Sequence, residues 1–409
     1  MIKKVFNILK KSFKRCILFI KWIQHLPERI PFFDTGLVLM LSAGFLWQVF
    51  THIQFHGLWT DEAYSIWLCF NSVPKILQIV SQGHDAPFYY IILHYWQGAF
   101  GISEISVRSL SAIFSVLTLI LLYWFSNKFL NRQTAFYVCL LYIGSTLELH
   151  YAVETRAYAL ASLLMAVSLF LFFSLVNKPS IGKVFLLGIA NALLVYTHFV
   201  TVFAIAAEGF AGLFFLIKHR PRFYGYFLLS GLITLLLVLP WISFIIKNLP
   251  EIGKTWQTAP DRNQLDDLIN FYFFNNYEYF RIAAWFTVIS ITLLVLTKNK
   301  SNISWPVLFV LLVLAVIPIT LDYFVSFKVP VFSIRYLMYI LLAIFLFLSY
   351  LFSKLPLAAP LKIIIALVVF SYLPGYKSLG AYSNEDWQLA MPIVIKERQL
   401  HDTDYATRA

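Results

Sequence analysis

The chain has 409 residues, 60% of them hydrophobic, 18% aromatic and only 13% charged, with a formal net charge of +12. Its mean hydropathy of +0.75 is more than a water-soluble core can absorb, which excludes an ordinary soluble enzyme. The positive charge is interleaved with long apolar segments, so it reports membrane topology and attraction to anionic headgroups, not nucleic-acid binding.

Only helices satisfy every backbone polar group within one segment inside a bilayer, so the expected class is an all-α polytopic membrane protein. Reading segments of about 20 apolar residues gives eleven spans, near 34–54, 105–126, 134–150, 157–176, 183–197, 199–217, 224–246, 281–297, 303–320, 333–352 and 359–374. Almost no loop separates the pair that meets at Tyr196-Thr197-His198. Positive residues collect on the cytoplasmic side of membrane proteins. The amino-terminal stretch carries Lys3, Lys4, Lys10, Lys11, Lys14, Arg15, Lys21 and Arg29, which predicts a cytoplasmic N-terminus. Alternation then puts the loops with Lys128/Arg132, Lys178/Lys183, Lys218/Arg220/Arg222, Lys298/Lys300 and Lys354/Lys362 on the same side. Asp61, Glu62, Asp85, Glu104, Glu148, Glu154, Asp266, Asp267 and Asp322 fall on the other. The first apolar segment follows basic sequence and has no small-residue cleavage site, so it reads as a retained anchor. Cys16, Cys69 and Cys139 are scattered and suggest neither a disulfide framework nor a metal site.

Three pieces are expected outside: 55–104, 247–280 and a short tail at 375–409. In the first, Ala63, Ile66, Trp67 and Phe70 mark one apolar helical face, and Ile76, Leu77, Ile79 and Val80 mark another after Pro74. Pro87 suits the first turn of a third helix, which carries Tyr89, Tyr90, His94 and Trp96. Such short aromatic helices suit the headgroup level. Asp61 and Glu62 follow directly on the first span, where a carboxylate pair is costly to keep unless something uses it. The plainer reading is that Thr60-Asp61-Glu62 caps a surface helix.

The landmarks in this order are Asp61-Glu62-Ala63-Tyr64-Ser65, Asp85-Ala86-Pro87-Phe88-Tyr89-Tyr90, His94-Tyr95-Trp96 and Ser103-Glu104 with Arg108-Ser109-Leu110-Ser111-Ala112. Glu154-Thr155-Arg156-Ala157-Tyr158-Ala159-Leu160, Tyr196-Thr197-His198, Arg335-Tyr336-Leu337 and Glu385-Asp386-Trp387 complete the set. Together they resemble the bacterial family 39 glycosyltransferases of the GT-C superfamily, the group that includes protein O-mannosyltransferases and aminoarabinose transferases. Many relatives carry a soluble domain where this chain has the short tail.

The resemblance implies an inner-membrane enzyme that takes a hexosyl or pentosyl unit from a polyprenyl-phosphate carrier. The acceptor would be an extracytoplasmic protein, lipid or cell-envelope glycan, and the reaction would invert the anomeric centre. Asp61 is similar to the family's general base, with Glu62 in support. A carboxylate within reach of the acceptor hydroxyl takes its proton as the bond forms. Arg156 and Arg335, at the starts of the fourth and tenth spans, are candidates for the donor phosphate, since arginine binds phosphate bidentately. Tyr158 and Tyr336 stand beside them. Asp85, Tyr89, His94, Glu154 and His198 are further substrate-binding candidates. Asp61 and Asp85 could together hold Mg or Mn through hard oxygen ligands. The favoured reading of Asp85 is a cap on the helix opened by Pro87, and no metal is assigned. A lipid-linked glycan flippase would be as basic and polytopic, but it should place ionisable groups at the midplane of broken helices. Here Glu208 is the main charged residue within a span. A glycan polymerase or ligase would share most of the site.

Overall fold

The computed structural model describes residues 33–54, 57–82, 85–218, 221–252, 260–273, 277–296 and 303–373. The basic amino-terminal stretch, His84 and the tail with Glu385-Asp386-Trp387 lie outside them. Among the described residues the chain is helical, without strands. In chain order the helices are α1 (Phe33–His52), α2 (Thr60–Leu68), α3 (Val73–Val80), α4 (Pro87–Phe100), α5 (Glu104–Phe129), α6 (Arg132–Gly144), α7 (Thr146–Ala152) and α8 (Tyr158–Asn177). They continue with α9 (Ile181–Thr197), α10 (Val202–Lys218), α11 (Pro221–Ile252), α12 (Arg262–Tyr272), α13 (Tyr277–Leu296), α14 (Trp305–Val325), α15 (Ile340–Lys354) and α16 (Ala359–Tyr372).

Among the described residues six stretches are long and apolar enough to cross a membrane: Phe33–His52, Glu104–Phe129, Tyr158–Asn177, Phe223–Ser243, Glu278–Leu296 and Trp305–Val325. Four shorter apolar stretches, Ile181–Thr197, Phe199–Phe214, Ile340–Lys354 and Ala359–Tyr372, fall where further spans are expected. On α11, Leu228, Leu232, Leu235, Leu236 and Leu239 stand exposed, as do Ile282, Trp285, Ile289 and Leu296 on α13. Apolar faces of that extent are sustained by hydrocarbon, not by water.

The expected span 134–150 is not one helix. It breaks after Gly144, and Ser145 caps the short α7 by accepting from the Glu148 N–H at 3.4 Å. A serine oxygen satisfies an N–H that a fresh helix start leaves unpaired, which stabilises the break. The near-continuous pair at Tyr196-Thr197-His198 resolves into α9, an extended His198, a 3-10 turn at Phe199–Thr201 and then α10. The span expected at 333–352 starts later. A 3-10 turn at Ile334–Leu337 precedes α15.

Between the first two spans lie the three short helices expected there, α2, α3 and α4. Their apolar faces are only partly used: Ile66, Ile76 and Val80 are buried, whereas Trp67 and Phe70 stand exposed. Gly101, with φ of +81°, ends α4 and lets the chain turn at once into α5. That backbone conformation favours glycine. Within the bundle α5 packs against α6 and α8, α9 against α8 and α11, and α14 against α10 and α15. At Gly188 an added Cβ would lie 2.6 Å from Ile233 Cγ2, so the missing side chain sets how closely α9 and α11 approach.

Candidate functional site

One buried clamp fixes the start of α2. The Arg108 guanidinium, on α5, donates from Nε to Glu62 Oε1 at 2.9 Å and from Nη2 to Glu62 Oε2 at 2.7 Å. Two further donors reach the carbonyls of Ile53 at 2.7 Å and Gly57 at 3.0 Å. Glu62 also accepts from the Thr155 N–H at 2.8 Å and the Trp59 N–H at 3.4 Å. With the two side chains only 5% and 1% exposed, this is a fork-to-fork pair in a dry setting, where such geometry is strongest. It ties the end of α1, the start of α2, α5 and the turn before α8 into one unit. Glu62 is therefore saturated with donors, and its position sets where Asp61 and Arg156 stand.

Asp61, the neighbour of Glu62, is 29% exposed and faces two arginines. Arg335 Nη1 donates to Asp61 Oδ2 at 3.1 Å, and Arg156 Nη2 lies 4.0 Å from the same oxygen. Arg156 Nη2 is also 3.6 Å from Asp85 Oδ1, while its Nη1 donates to the Tyr90 hydroxyl at 3.1 Å and Ser65 Oγ at 3.4 Å. Neither arginine begins a membrane-length helix: Arg156 sits in the turn before α8, and Arg335 in the 3-10 turn before α15. Burial alone would disfavour their charge, but the surrounding tyrosines and aspartates outweigh it and hold both firmly protonated.

Aromatic rings floor this cluster. The Arg335 guanidinium lies 5.6 Å from the Trp59 ring centroid and 5.7 Å from that of Tyr336, and Arg156 lies 6.0 Å from that of Tyr158. Tyr158 and Tyr336 stack at 6.4 Å, and His198 sits 4.5 Å from Tyr336. Cations over ring faces gain from the ring quadrupole, more so when partly desolvated. Glu154 is buried two residues before Arg156, with His150 Nε2 at 3.6 Å. Burial first, then the Glu62 charge, pushes its carboxyl up to about 8. His198 moves the other way, down to about 3, through burial and then the charges of Arg156 and Arg335.

The structure thus brings together Asp61, Asp85, Arg156, Arg335, Tyr158, Tyr336 and His198, with Glu154 close behind. Two candidates stand apart. His94 Nδ1 is bonded to the Cys69 carbonyl at 2.8 Å and ties α4 to the end of α2. Tyr89 is fully buried and packs edge-on against Tyr90. Trp59, Ser65, Tyr90 and Arg108 belong to the site although the motifs gave them no role. Ser65, Tyr90 and Arg108 stand inside quoted motifs, which was the available signal.

Among the described residues no group of three or more His, Cys, Asp or Glu side chains could hold a metal ion. Asp61 and Asp85 both lie against the Arg156 guanidinium. Mg and Mn take about six oxygen ligands, more than these two side chains alone supply.

No family model matches the chain, and no curated protein matches it. Solved structures do. The ArnT of Cupriavidus metallidurans bound to undecaprenyl phosphate aligns with a TM-score of 0.60 at 14% identity, covering 86% of this chain and 66% of that one. The apo form of the same protein aligns with a TM-score of 0.58 at 15% identity, over 82% and 62%. The chain has the GT-C fold. The oligosaccharyltransferase of Archaeoglobus fulgidus, crystallised with Zn and sulfate, follows with a TM-score of 0.56 at 14% identity, over 86% and 54%. The chain therefore spans less than two thirds of the length of these GT-C enzymes.

Proposed function

We propose that the chain is an integral-membrane glycosyltransferase that moves a sugar from a polyprenyl-phosphate carrier to a hydroxyl-bearing acceptor outside the cytoplasm. The observation that carries this reading is the pairing of Asp61 with Arg335 and Arg156, one partly exposed carboxylate facing two guanidiniums on a GT-C fold. A phosphate needs the guanidiniums, and an attacking hydroxyl needs the carboxylate. Arg156 and Arg335 stand in the turns that lead into the apolar helices α8 and α15, a position that suits a lipid-borne phosphate. The undecaprenyl phosphate bound to the ArnT of C. metallidurans supports the same class of donor here.

In the proposed reaction the acceptor hydroxyl attacks the anomeric carbon and the C–O bond to the carrier phosphate breaks. The electron pair leaves with polyprenyl phosphate, and the hydroxyl proton passes to Asp61. Arg156 and Arg335 stabilise the charge that grows on the leaving phosphate, a preorganised electrostatic role. For Arg335 to do so its bond to Asp61 loosens, which also frees the carboxylate to act as base. Attack from the face opposite the phosphate inverts the anomeric centre. Glu62 acts through position: held by Arg108, it sets Asp61 in place. Asp85 orients Arg156.

Whether one sugar or a larger glycan moves is the second reading, favoured by the likeness to an oligosaccharyltransferase. The test is transfer in reconstituted liposomes, with labelled polyprenyl-phosphate sugars and polyprenyl-linked oligosaccharides offered beside a membrane-extract acceptor. Transfer of label from a monosaccharide donor supports the reading. Movement of intact donor across the bilayer without transfer would replace it with a transporter.

A further inference from the structure

Beside the arginine pair is a group of buried polar atoms that nothing in the proposed chemistry uses. Glu154 Oε1 and Oε2, Thr155 Oγ1, the Tyr158 hydroxyl and His198 Nδ1 are all out of contact with water and have no hydrogen-bond partner. Glu154, Thr155 and Tyr158 are 4%, 0% and 3% exposed. A buried polar group without a partner costs about 1–3 kcal/mol, and several in one place mark a site that something else completes. They are one cluster. Glu154 and Thr155 directly precede Arg156, the Thr155 N–H holds Glu62, and the Tyr158 ring lies by the Arg156 guanidinium. His198 and Tyr158 are ring neighbours at 6.1 Å, and both flank Tyr336.

We propose that Glu154, Thr155, Tyr158 and His198 form the subsite that reads the donor's sugar, and that this sugar is a neutral polyhydroxylated one. The inference rests on the function proposed above. Four features select that chemistry. Each polar group can bond a sugar hydroxyl, which is both donor and acceptor. Tyr158 and Tyr336 set two aromatic rings beside these polar groups, apolar surface of the kind a pyranose packs against. Glu154 and His198 are shifted in opposite directions, each toward its uncharged form near neutral pH. Lastly, the two carboxylates that could pair with the ammonium of an aminosugar, Asp61 and Asp85, are already engaged by Arg335 and Arg156. A site built to bond hydroxyls rejects ligands that lack them, because its own groups then stay unpaired.

The experiment compares binding of bare undecaprenyl phosphate with undecaprenyl-phosphate mannose, glucose and 4-amino-4-deoxyarabinose to the full chain in nanodiscs. The expected result is that at least one neutral sugar donor binds about tenfold or more tightly than the bare phosphate. Glu154→Ala and Thr155→Val should erase that increment while bare-phosphate binding stays unchanged, and Glu154→Gln, which keeps hydrogen-bonding atoms, should restore part of it. Retained bare-phosphate binding also shows that the variants are folded. Equal binding of bare and sugar-loaded lipid, or an increment that survives both substitutions, overturns the subsite and leaves the phosphate site standing. A selective gain for the aminosugar alone overturns the neutral-sugar assignment. If no polyprenyl phosphate binds at all, the function itself falls, and the subsite with it.

Discussion

Removing Arg108 tests how the site is positioned. Arg108→Met keeps the length of the stem but leaves the Glu62 carboxylate, 1% exposed, without its two guanidinium bonds of 2.9 and 2.7 Å. Only the Thr155 and Trp59 N–H groups would still reach it. Breaking one side of a buried ion pair costs about 3–5 kcal/mol, most of it from the charge left behind. Replacing both partners by apolar groups is far milder. Arg108→Met should therefore lower the melting temperature in detergent markedly, whereas the double variant Arg108→Met/Glu62→Met should recover most of the loss. The double-mutant cycle should give a coupling of about 2–3 kcal/mol. Because the clamp fixes Asp61 and the turn before Arg156, neither variant should transfer sugar at the wild-type rate. Additive losses, or a single variant as stable as wild type, would refute the clamp.

Three further outcomes follow from particular contacts. Arg335→Lys keeps the charge but loses the planar fork, so binding of polyprenyl phosphate, measured by fluorescence or calorimetry, should weaken by about tenfold. Between α8, α9 and α10, Ser168 Oγ meets Asn191 Oδ1 at 2.5 Å and Glu208 Oε1 at 2.6 Å, and Asn191 Nδ2 meets Glu208 Oε2 at 2.9 Å. Three contacts in a ring need three hydrogens, and Ser168 and Asn191 supply two, so the third comes from position 208. Glu208→Gln should then melt like wild type, while Glu208→Ala should be destabilised by about 2 kcal/mol or more. Glu154 holds its proton in the fold up to about 8, while the unfolded chain releases it near 4.3. The native state thus binds more protons across that window, and this group's contribution to stability falls as pH rises through it. Melting curves from pH 5 to 8 should show Glu154→Gln gaining on wild type as pH increases. A constant difference would count against the buried, neutral carboxyl.

Much of the fold could be read from apolar run lengths, because a span must be apolar over its whole length and the bounding charges mark its ends. The α6–α7 break was not, since a small-residue pair inside an apolar run, Gly144-Ser145, looks like any other membrane stretch. The site was legible only through its motifs. Asp61 and Arg335 are 274 positions apart, and periodicity carries no information across such a separation. The same limit hid the Arg108–Glu62 clamp and the ring that closes on Glu208, whose carboxyl was visible in the sequence but whose partners lie on two other helices. His94, bonded to the Cys69 carbonyl, and Tyr89, packed edge-on against Tyr90, were likewise legible only as members of a motif.

The central claim is that Asp61 takes the acceptor's proton beside a phosphate held by Arg156 and Arg335. It is tested most directly by single-turnover transfer from a bound polyprenyl-phosphate sugar in wild type and Asp61→Asn. The account predicts that the variant still binds the donor and melts near wild type, but transfers at least about a hundredfold more slowly. Transfer at the wild-type rate by Asp61→Asn, with donor binding intact, would contradict it.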